Sequence, residues 1–402
     1  MQQVKIVTTT TTFIIIFRIK YLQRIIFNHI YDLCSRENRL QPDKWRKGNT
    51  LPLDRLIAHY AMPFDFLKQH IKSLNRSDLD IERFCYHPNA TLPTLKHLLR
   101  WHREFKLSTA DNSVDILDKV AAVGNLDIIQ FLIKTYPHLT CKHAIDLAAS
   151  NGYVEVVKYL YGRLRRKGGC STDAIDLASE HGHLSVVEYL LHRKETFTRR
   201  AMNKSSENGH LTVVDRLHRA GGRCTKDAMD GAAANGHLSV VEYLHTHRTE
   251  GCSIRALDAA SKNGYLSVVE YLNSNRSEGC SQFAMDWAAS NGHLSVVDYL
   301  HRNRTEGCTT IAVDGASRNG FVNIVEYLFN SRTEGCTSIA LCGAAANNHF
   351  TTVSFLISNN NNNQQQTFTV TNIRDAITMA QGEDAPKIIT LLSKYLPPAP
   401  QI

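Results

Sequence analysis

The apolar and polar positions of this chain recur on a fixed spacing. The stretch Asn291-Gly292-His293-Leu294-Ser295-Val296-Val297-Asp298 has near-copies starting at Asn151, His181, Asn208, Asn235, Asn263 and Asn319, and looser ones at Val123 and Asn347. The glycine-equivalent positions are 124, 152, 182, 209, 236, 264, 292, 320 and 348, with gaps of 28, 30, 27, 27, 28, 28, 28 and 28. A period of this size marks a stack of small like units. Within one unit, Ala284, Met285, Ala288 and Ala289 fall on one face of a helix. Asn291-Gly292 then breaks that helix, and Gly152, Gly182, Gly209, Gly236, Gly264 and Gly320 stand at the same turn. A second helix follows, with Val296, Val297 and Leu300 facing inward. Ser281 precedes the first helix as an N-cap, and Ser or Thr recurs there at Ser171, Thr225, Ser253, Thr309 and Thr337. The pairs Ser185…Glu188, Ser239…Glu242 and Ser267…Glu270 predict a capping box at the start of the second helix.

No unit of this length can bury its apolar face alone, so the units must stack. The small alanines let helices of neighbouring units approach to about 8–10 Å. The unit resembles the ankyrin repeat. Ala284-Met285-Asp286-Trp287-Ala288-Ala289 is similar to the family's Thr-Pro-Leu-His-x-Ala-Ala stretch. Gly292-His293, Val296-Val297 and Tyr299-Leu300 follow in family order, and Gly307-Cys308 takes the place of the terminal Gly-Ala. The resemblance covers about residues 80–395 and implies an all-α solenoid of stacked helix-turn-helix repeats. Two departures stand out. The unit is 28 residues against the family's ~33, and the shortfall lies where the family has a β-hairpin finger. Asp146, Asp176, Asp230, Asp258, Asp286 and Asp314 occupy the place of the family's His. The fingers are therefore expected to be short or missing.

The expected organisation is an N-terminal helical region over 1–78, of degenerate repeats or a separate unit, then an array over 79–396. The array holds nine clear repeats and two worn terminal ones, carried by Thr91–Leu99 and Asp375–Leu392. The Asn/Gln tract over 358–367 is expected to be a disordered insert, and 397–402 a tail.

Composition narrows the function. The chain has 402 residues, 43% of them hydrophobic, and a net charge of +8. Residues 1–50 hold nine Lys/Arg and three Asp/Glu, so most of the excess sits outside the near-neutral array. That weakens a nucleic-acid reading. The apolar run Phe13–Phe17 is far short of the ~20 residues a bilayer needs, and Arg18, Lys20 and Arg24 follow it where a signal peptide needs small residues. An amphipathic or buried helix over 13–33 is expected rather than a signal anchor. The chain is expected to be cytoplasmic or nuclear and monomeric, with unglycosylated Asn203 and Asn303 sequons.

Several repeated residue types invite chemical readings. Cys141, Cys170, Cys224, Cys252, Cys280, Cys308 and Cys336 recur once per unit. Equivalent residues in a stack lie about 10 Å apart, too far for disulfides or shared zinc ligands, so these are read as small buried residues. His183, His210, His237 and His293 follow the turn glycine and are read as turn features bonded to nearby backbone. Arg248…Glu250, Arg276…Glu278, Arg304…Glu306 and Arg332…Glu334 are expected as a solvated ladder, with a recognition strip as the alternative. No phosphate-binding loop, dinucleotide fingerprint, His-Glu-x-x-His or Gly-x-Ser-x-Gly occurs. No catalytic, metal or cofactor residue and no small-molecule substrate is expected.

Function is sought where the repeat refuses to repeat. Residues nine, five and two before the turn glycine share one outward face of the first helix. Successive repeats place Asp227/Gly231/Ala234, Arg255/Ala259/Lys262, Phe283/Trp287/Ser290, Ile311/Gly315/Arg318 and Ile339/Gly343/Ala346 there. Arg255, Lys262, Phe283, Trp287, Ile311 and Arg318 are the partner-binding candidates, since Trp and Arg are typical interface anchors. The alternative is drift on a tolerant surface. The leading expectation is a non-catalytic adaptor holding an unidentified protein. A ubiquitin-ligase substrate adaptor docking through helices of 13–60, and an RNA-binding helical array, are the competing readings.

Overall fold

The computed structural model describes residues 80–102, 116–137, 139, 141–164, 170–360 and 368–397. The expected N-terminal helical region, the apolar run at Phe13 and the ligase-docking segment lie outside these residues. The chain divides after Ala144 into two compact bodies. Among the described residues all regular structure is helical, with twenty-two helices and no strand. None of them is long and apolar enough to cross a membrane.

The first body holds two helix pairs, α1 (Ile81–Cys85) with α2 (Leu92–Trp101) and α3 (Ile116–Ala122) with α4 (Leu126–Thr135). Phe84, Leu95, Leu98, Ile128, Ile129 and Leu132 are wholly buried there. Asn125 joins the two pairs, its Nδ2 donating to the carbonyl of Ala90 at 2.7 Å.

The second body continues the pattern as α5 (Ala144–Ser150), α6 (Val154–Leu164), α7 (Asp173–Glu180), α8 (Leu184–His192), α9 (Arg199–Glu207), α10 (Leu211–Arg219), α11 (Lys226–Ala234) and α12 (Leu238–His247). It ends in α13 (Ile254–Lys262), α14 (Leu266–Asn275), α15 (Phe283–Ser290), α16 (Leu294–Asn303), α17 (Thr310–Arg318), α18 (Val322–Ser331), α19 (Ser338–Ala346), α20 (Phe350–Ser358), α21 (Val370–Met379) and α22 (Ala385–Ser393). From α7 onward the odd-numbered first helices pack on their successors, and from α6 onward the even-numbered second helices do the same more loosely. The reason is size: the buried first-helix positions are mostly Ala, as at Ala256, Ala260, Ala284, Ala288 and Ala289, while valines and leucines fill the second-helix seam.

Four residue ladders tie each repeat to the next. The first is the turn. Gly152, Gly182, Gly209, Gly236, Gly264, Gly292 and Gly320 take φ between 76° and 87°, and Asn348 takes 64° in their place. Each glycine also leaves room for a ring from the following repeat: a Cβ on Gly236 would stand 2.5 Å from Tyr265, and one on Gly292 2.8 Å from Phe321. His183 and His210 use this position to bond the backbone of Ser150 and Glu180, one repeat back. Burial lowers both imidazoles below the usual histidine value.

The second ladder is the buried aspartate whose presence the sequence showed but whose role it did not. Asp286 accepts from the N–H and the hydroxyl of Thr309, both at 2.7 Å. Asp146–Ser171, Asp176–Thr198, Asp230–Ser253, Asp258–Ser281 and Asp314–Thr337 make the same double contact. The hydroxyl of the bonded Ser or Thr in turn accepts the N–H two residues on, as Ser281 does from Phe283 (3.2 Å) and Thr309 from Ile311 (3.1 Å). Thr225, Ser253, Thr309 and Thr337 are therefore N-caps as predicted, whereas Ser171 and Ser281 stand one residue earlier, the N-caps there being Thr172 and Gln282.

The third ladder is the motif's asparagine. Asn235, Asn263, Asn291 and Asn319 donate to the carbonyls of Glu207, Ala234, Lys262 and Ser290 at 2.7–3.0 Å, closing the C-terminal end of the preceding first helix.

The fourth is Arg–Glu, and here the structure corrects the expectation of a solvated strip. Arg248 pairs with Glu250 at 2.5 Å, and Arg276–Glu278, Arg304–Glu306 and Arg332–Glu334 repeat the pair, with side chains only 17–26% exposed. Each pair folds over the loop glycine of the preceding repeat: a Cβ on Gly251 would come within 3.0 Å of Glu278 Oε1. The Arg248 and Arg276 guanidiniums hold Glu250 and Glu278 down at about 2.

Two further expectations change. The capping boxes do not form. His183, His237 and Tyr265 are the N-cap residues, so Ser185, Ser239 and Ser267 fall inside the helix, and no side-chain cap bond is made. The tight turn already supplies acceptors, with Leu184 N–H on Gly182 O (2.9 Å) and Val186 N–H on His183 O (3.0 Å). The insert expected over 358–367 also loses its first residues to the fold. Ser358 closes α20, and buried Asn360 accepts the N–H of Phe368 at 2.5 Å.

Candidate functional site

The first-helix face of the second body carries the partner-binding candidates, and the structure sorts them. Position nine before the turn glycine lies in the first turn of each first helix and points outward. Phe283, Ile311 and Ile339 sit there in three successive repeats, 46%, 47% and 48% exposed, and Ile254 is 46% exposed beside Arg255. Burying such side chains is worth ~1.5–3 kcal/mol each, so four of them half in water make a column that a partner could cover. Ile254 and Ile339 belong with the predicted residues. Ile254 was missed because it lies one position off the face that was counted.

Positions five and two interlock across repeats. Trp287 stacks on Phe283 with ring centres 5.1 Å apart and planes 13° from parallel, the geometry of an i,i+4 pair on one helix. Lys262, from the repeat before, places Nζ 5.5 Å from the centre of the Trp287 ring. Phe283, Trp287 and Lys262 thus form one cluster. At Gly231 and Gly343 glycine takes the Trp287 position, where the neighbouring residue leaves little room. A Cβ on Gly231 would meet Glu207 Cβ at 3.0 Å, and one on Gly343 would meet Arg318 Cβ at 3.2 Å. The variation along this face is partly a fit of each repeat to its predecessor. Arg318 is exposed, with its stem against Gly343. Arg255 lies apart from the aromatic cluster and lines a groove of about 520 Å³ shared with Lys204, Glu207 and Asp227.

The remaining repeated side chains are tied down. Burial pushes the thiols of Cys252 and Cys280 up to about 11 and those of Cys308 and Cys336 to about 12, away from the reactive thiolate form. Among the described residues no group of three or more His, Cys, Asp or Glu could hold a metal ion.

A search among curated proteins finds no match. Residues 117–201 match the family model for ankyrin repeats in three copies. The turn glycine and the aspartate ladder of the matched unit run on through the helices that follow, to Gly320 and Asp314. Residues 117–201 are thus identified as ankyrin repeats.

Proposed function

We propose that this chain is a non-catalytic scaffold that holds a protein partner on the first-helix face of its second body, between Ile254 and Ile339. Ankyrin repeats are in general protein–protein interaction scaffolds, and their helical solenoid is typically non-catalytic. The observation that carries the finer reading is the Phe283–Trp287–Lys262 cluster set in the column of half-exposed apolar residues. A rigid aromatic pair with a cation over it (Lys262), and with Arg255 and Arg318 elsewhere on the same face, is the composition of an interface centre. The fold itself does not need these side chains, since the buried alanines beneath them already fill the seam between first helices.

The test is affinity capture with the Trp287→Ala, Arg255→Ala variant. Capture is lost while the melting temperature stays within a few degrees, and Glu242→Ala with Glu270→Ala on the second helices leaves it unchanged. Undiminished capture by the first variant overturns this face as the binding site.

A further inference from the structure

The loop edge of the second body is closed at four repeats and open at one place. From Arg248 onward the loop after each second helix carries the Arg–x–Glu pair, so its cation is neutralised where it stands. The two loops before it are one residue shorter, running Leu190–Thr198 and Leu217–Thr225 against Leu244–Ser253, and neither holds that pair. Between these two loops lies a cleft of about 950 Å³. Lys194, Arg199, Arg200, Arg216 and Arg223 line it, against the single carboxylate of Glu195. Glu195 accepts the hydroxyl of Tyr161 at 2.5 Å, and Arg200 is paired with Glu180 at 2.8 Å. Among the described residues, none of the other four cations is paired with a carboxylate.

Lys194 and Arg223 both stand at positions where other repeats place glycine. Lys194 sits at φ 63°, a conformation costly for a side-chain-bearing residue, and Gly221 fills the same place one repeat later with φ 80°. Arg223 stands at the position of the loop glycines Gly251, Gly279, Gly307 and Gly335. Neither departure improves packing, since the Arg223 and Lys194 side chains are exposed.

We propose that this cleft is a binding site for a multiply phosphorylated anion. Guanidinium forks match phosphate oxygens in bidentate geometry, and three of the four unpaired cations are arginines. Thr196 also lines the cleft, and its hydroxyl adds a polar contact. The volume lies at the upper end of the ~300–1,000 Å³ range of small-ligand pockets, so a single phosphate would leave most of the cations unmatched. A soluble polyphosphate and a segment with clustered phosphoserines carry the same chemistry. The site stands some two repeats from the aromatic cluster and does not depend on the partner reading of that face.

Calorimetric titration of the full chain with inorganic tripolyphosphate tests it, with a doubly phosphorylated hexapeptide and its unphosphorylated form as separate arms. The expected result is one site per chain that weakens as salt rises, with no binding of the unphosphorylated peptide. Arg199→Gln with Arg223→Gln weakens binding at least tenfold while the circular-dichroism melt is unchanged. Lys158→Gln with Arg302→Gln removes the same charge elsewhere and leaves binding intact. Tighter binding of tripolyphosphate assigns a soluble polyphosphate as the source of the phosphates, and tighter binding of the phosphopeptide assigns a protein segment. No binding of either phosphorylated probe, or equal loss in both double variants, overturns the proposal.

Discussion

A β-carbon on Gly264 would stand 2.5 Å from Nδ1 of His293, one repeat further on. The two residues of the most repeated dipeptide thus serve different neighbours. The glycine of one repeat receives the ring of the next, and the histidine of that next repeat caps the glycine behind it. Because Gly264 also takes φ 77°, both space and backbone forbid a side chain there.

The same pairing makes Gly292→Val strongly destabilising. Gly292 has φ 87°, and a Cβ would meet the Phe321 ring at 2.8 Å. The backbone strain alone is worth ~1–3 kcal/mol. Gly162→Ala is the matched control: it lies in α6 with nothing within 4 Å of its Cβ, and should gain ~0.5–1 kcal/mol. Urea denaturation of the two variants should move in opposite directions. A wild-type midpoint for Gly292→Val would refute the account of the turn.

Asp286→Ala should cost ~1–3 kcal/mol, because it strands the half-buried N–H and hydroxyl of Thr309. Asp286→Asn should cost much less. The chain already uses asparagine at this register: Asn203 accepts the N–H of Thr225 at 3.0 Å and donates to its hydroxyl at 2.8 Å. Burial raises the Asp286 carboxyl above the usual value even with the Thr309 N–H pulling it down, so losing its charge is not the expensive step. Thermal melts that rank the asparagine variant as low as the alanine variant would contradict this.

The Arg–Glu ladder predicts an acid dependence. Glu250 and Glu278 are held at about 2 in the fold, against 4.5 for an unperturbed glutamate. Their contribution is therefore complete above pH ~4.5 and fades as pH falls toward ~2. Glu250→Gln with Glu278→Gln should lower stability at pH 6 and flatten its decline between pH 4.5 and 2. Equal slopes for the variant and the parent in chemical denaturation would show that these pairs are not linked to folding.

Removing the motif's asparagine should act between repeats rather than within one. Asn263→Ala leaves the carbonyl of Ala234 without its 2.7 Å donor, at a cost of ~0.5–1.5 kcal/mol. Hydrogen exchange should rise at the end of α11, in the preceding repeat, as well as at the variant's own turn. Faster exchange confined to Asn263 and its neighbours would argue against the staple.

The repeat length, the helix pair, the turn glycines and the inward alanines and valines were all legible in the sequence. Each is a local rule: a helical period of apolar positions, a residue that tolerates positive φ, a hydroxyl before a helix. Phe283, Trp287, Ile311 and the exposed arginines could likewise be placed on the outward face by counting from the glycine. What joins one repeat to the next was not legible, because the partners of Asp286, Asn291 and His293 lie some 23–29 residues away and come into reach only when the helices stack. Local rules also over-predicted, since Ser185…Glu188 had the spacing of a capping box that the turn's own carbonyls made unnecessary. Tertiary structure alone set Lys262 over Trp287, folded the half-buried Arg–Glu pairs over the loop glycines, and left the cations at Lys194, Arg199, Arg216 and Arg223 facing one cleft. A sequence fixes which side chains leave the backbone on the same face, whereas the distance between faces of different repeats is set by how closely the small residues between them allow the helices to pack.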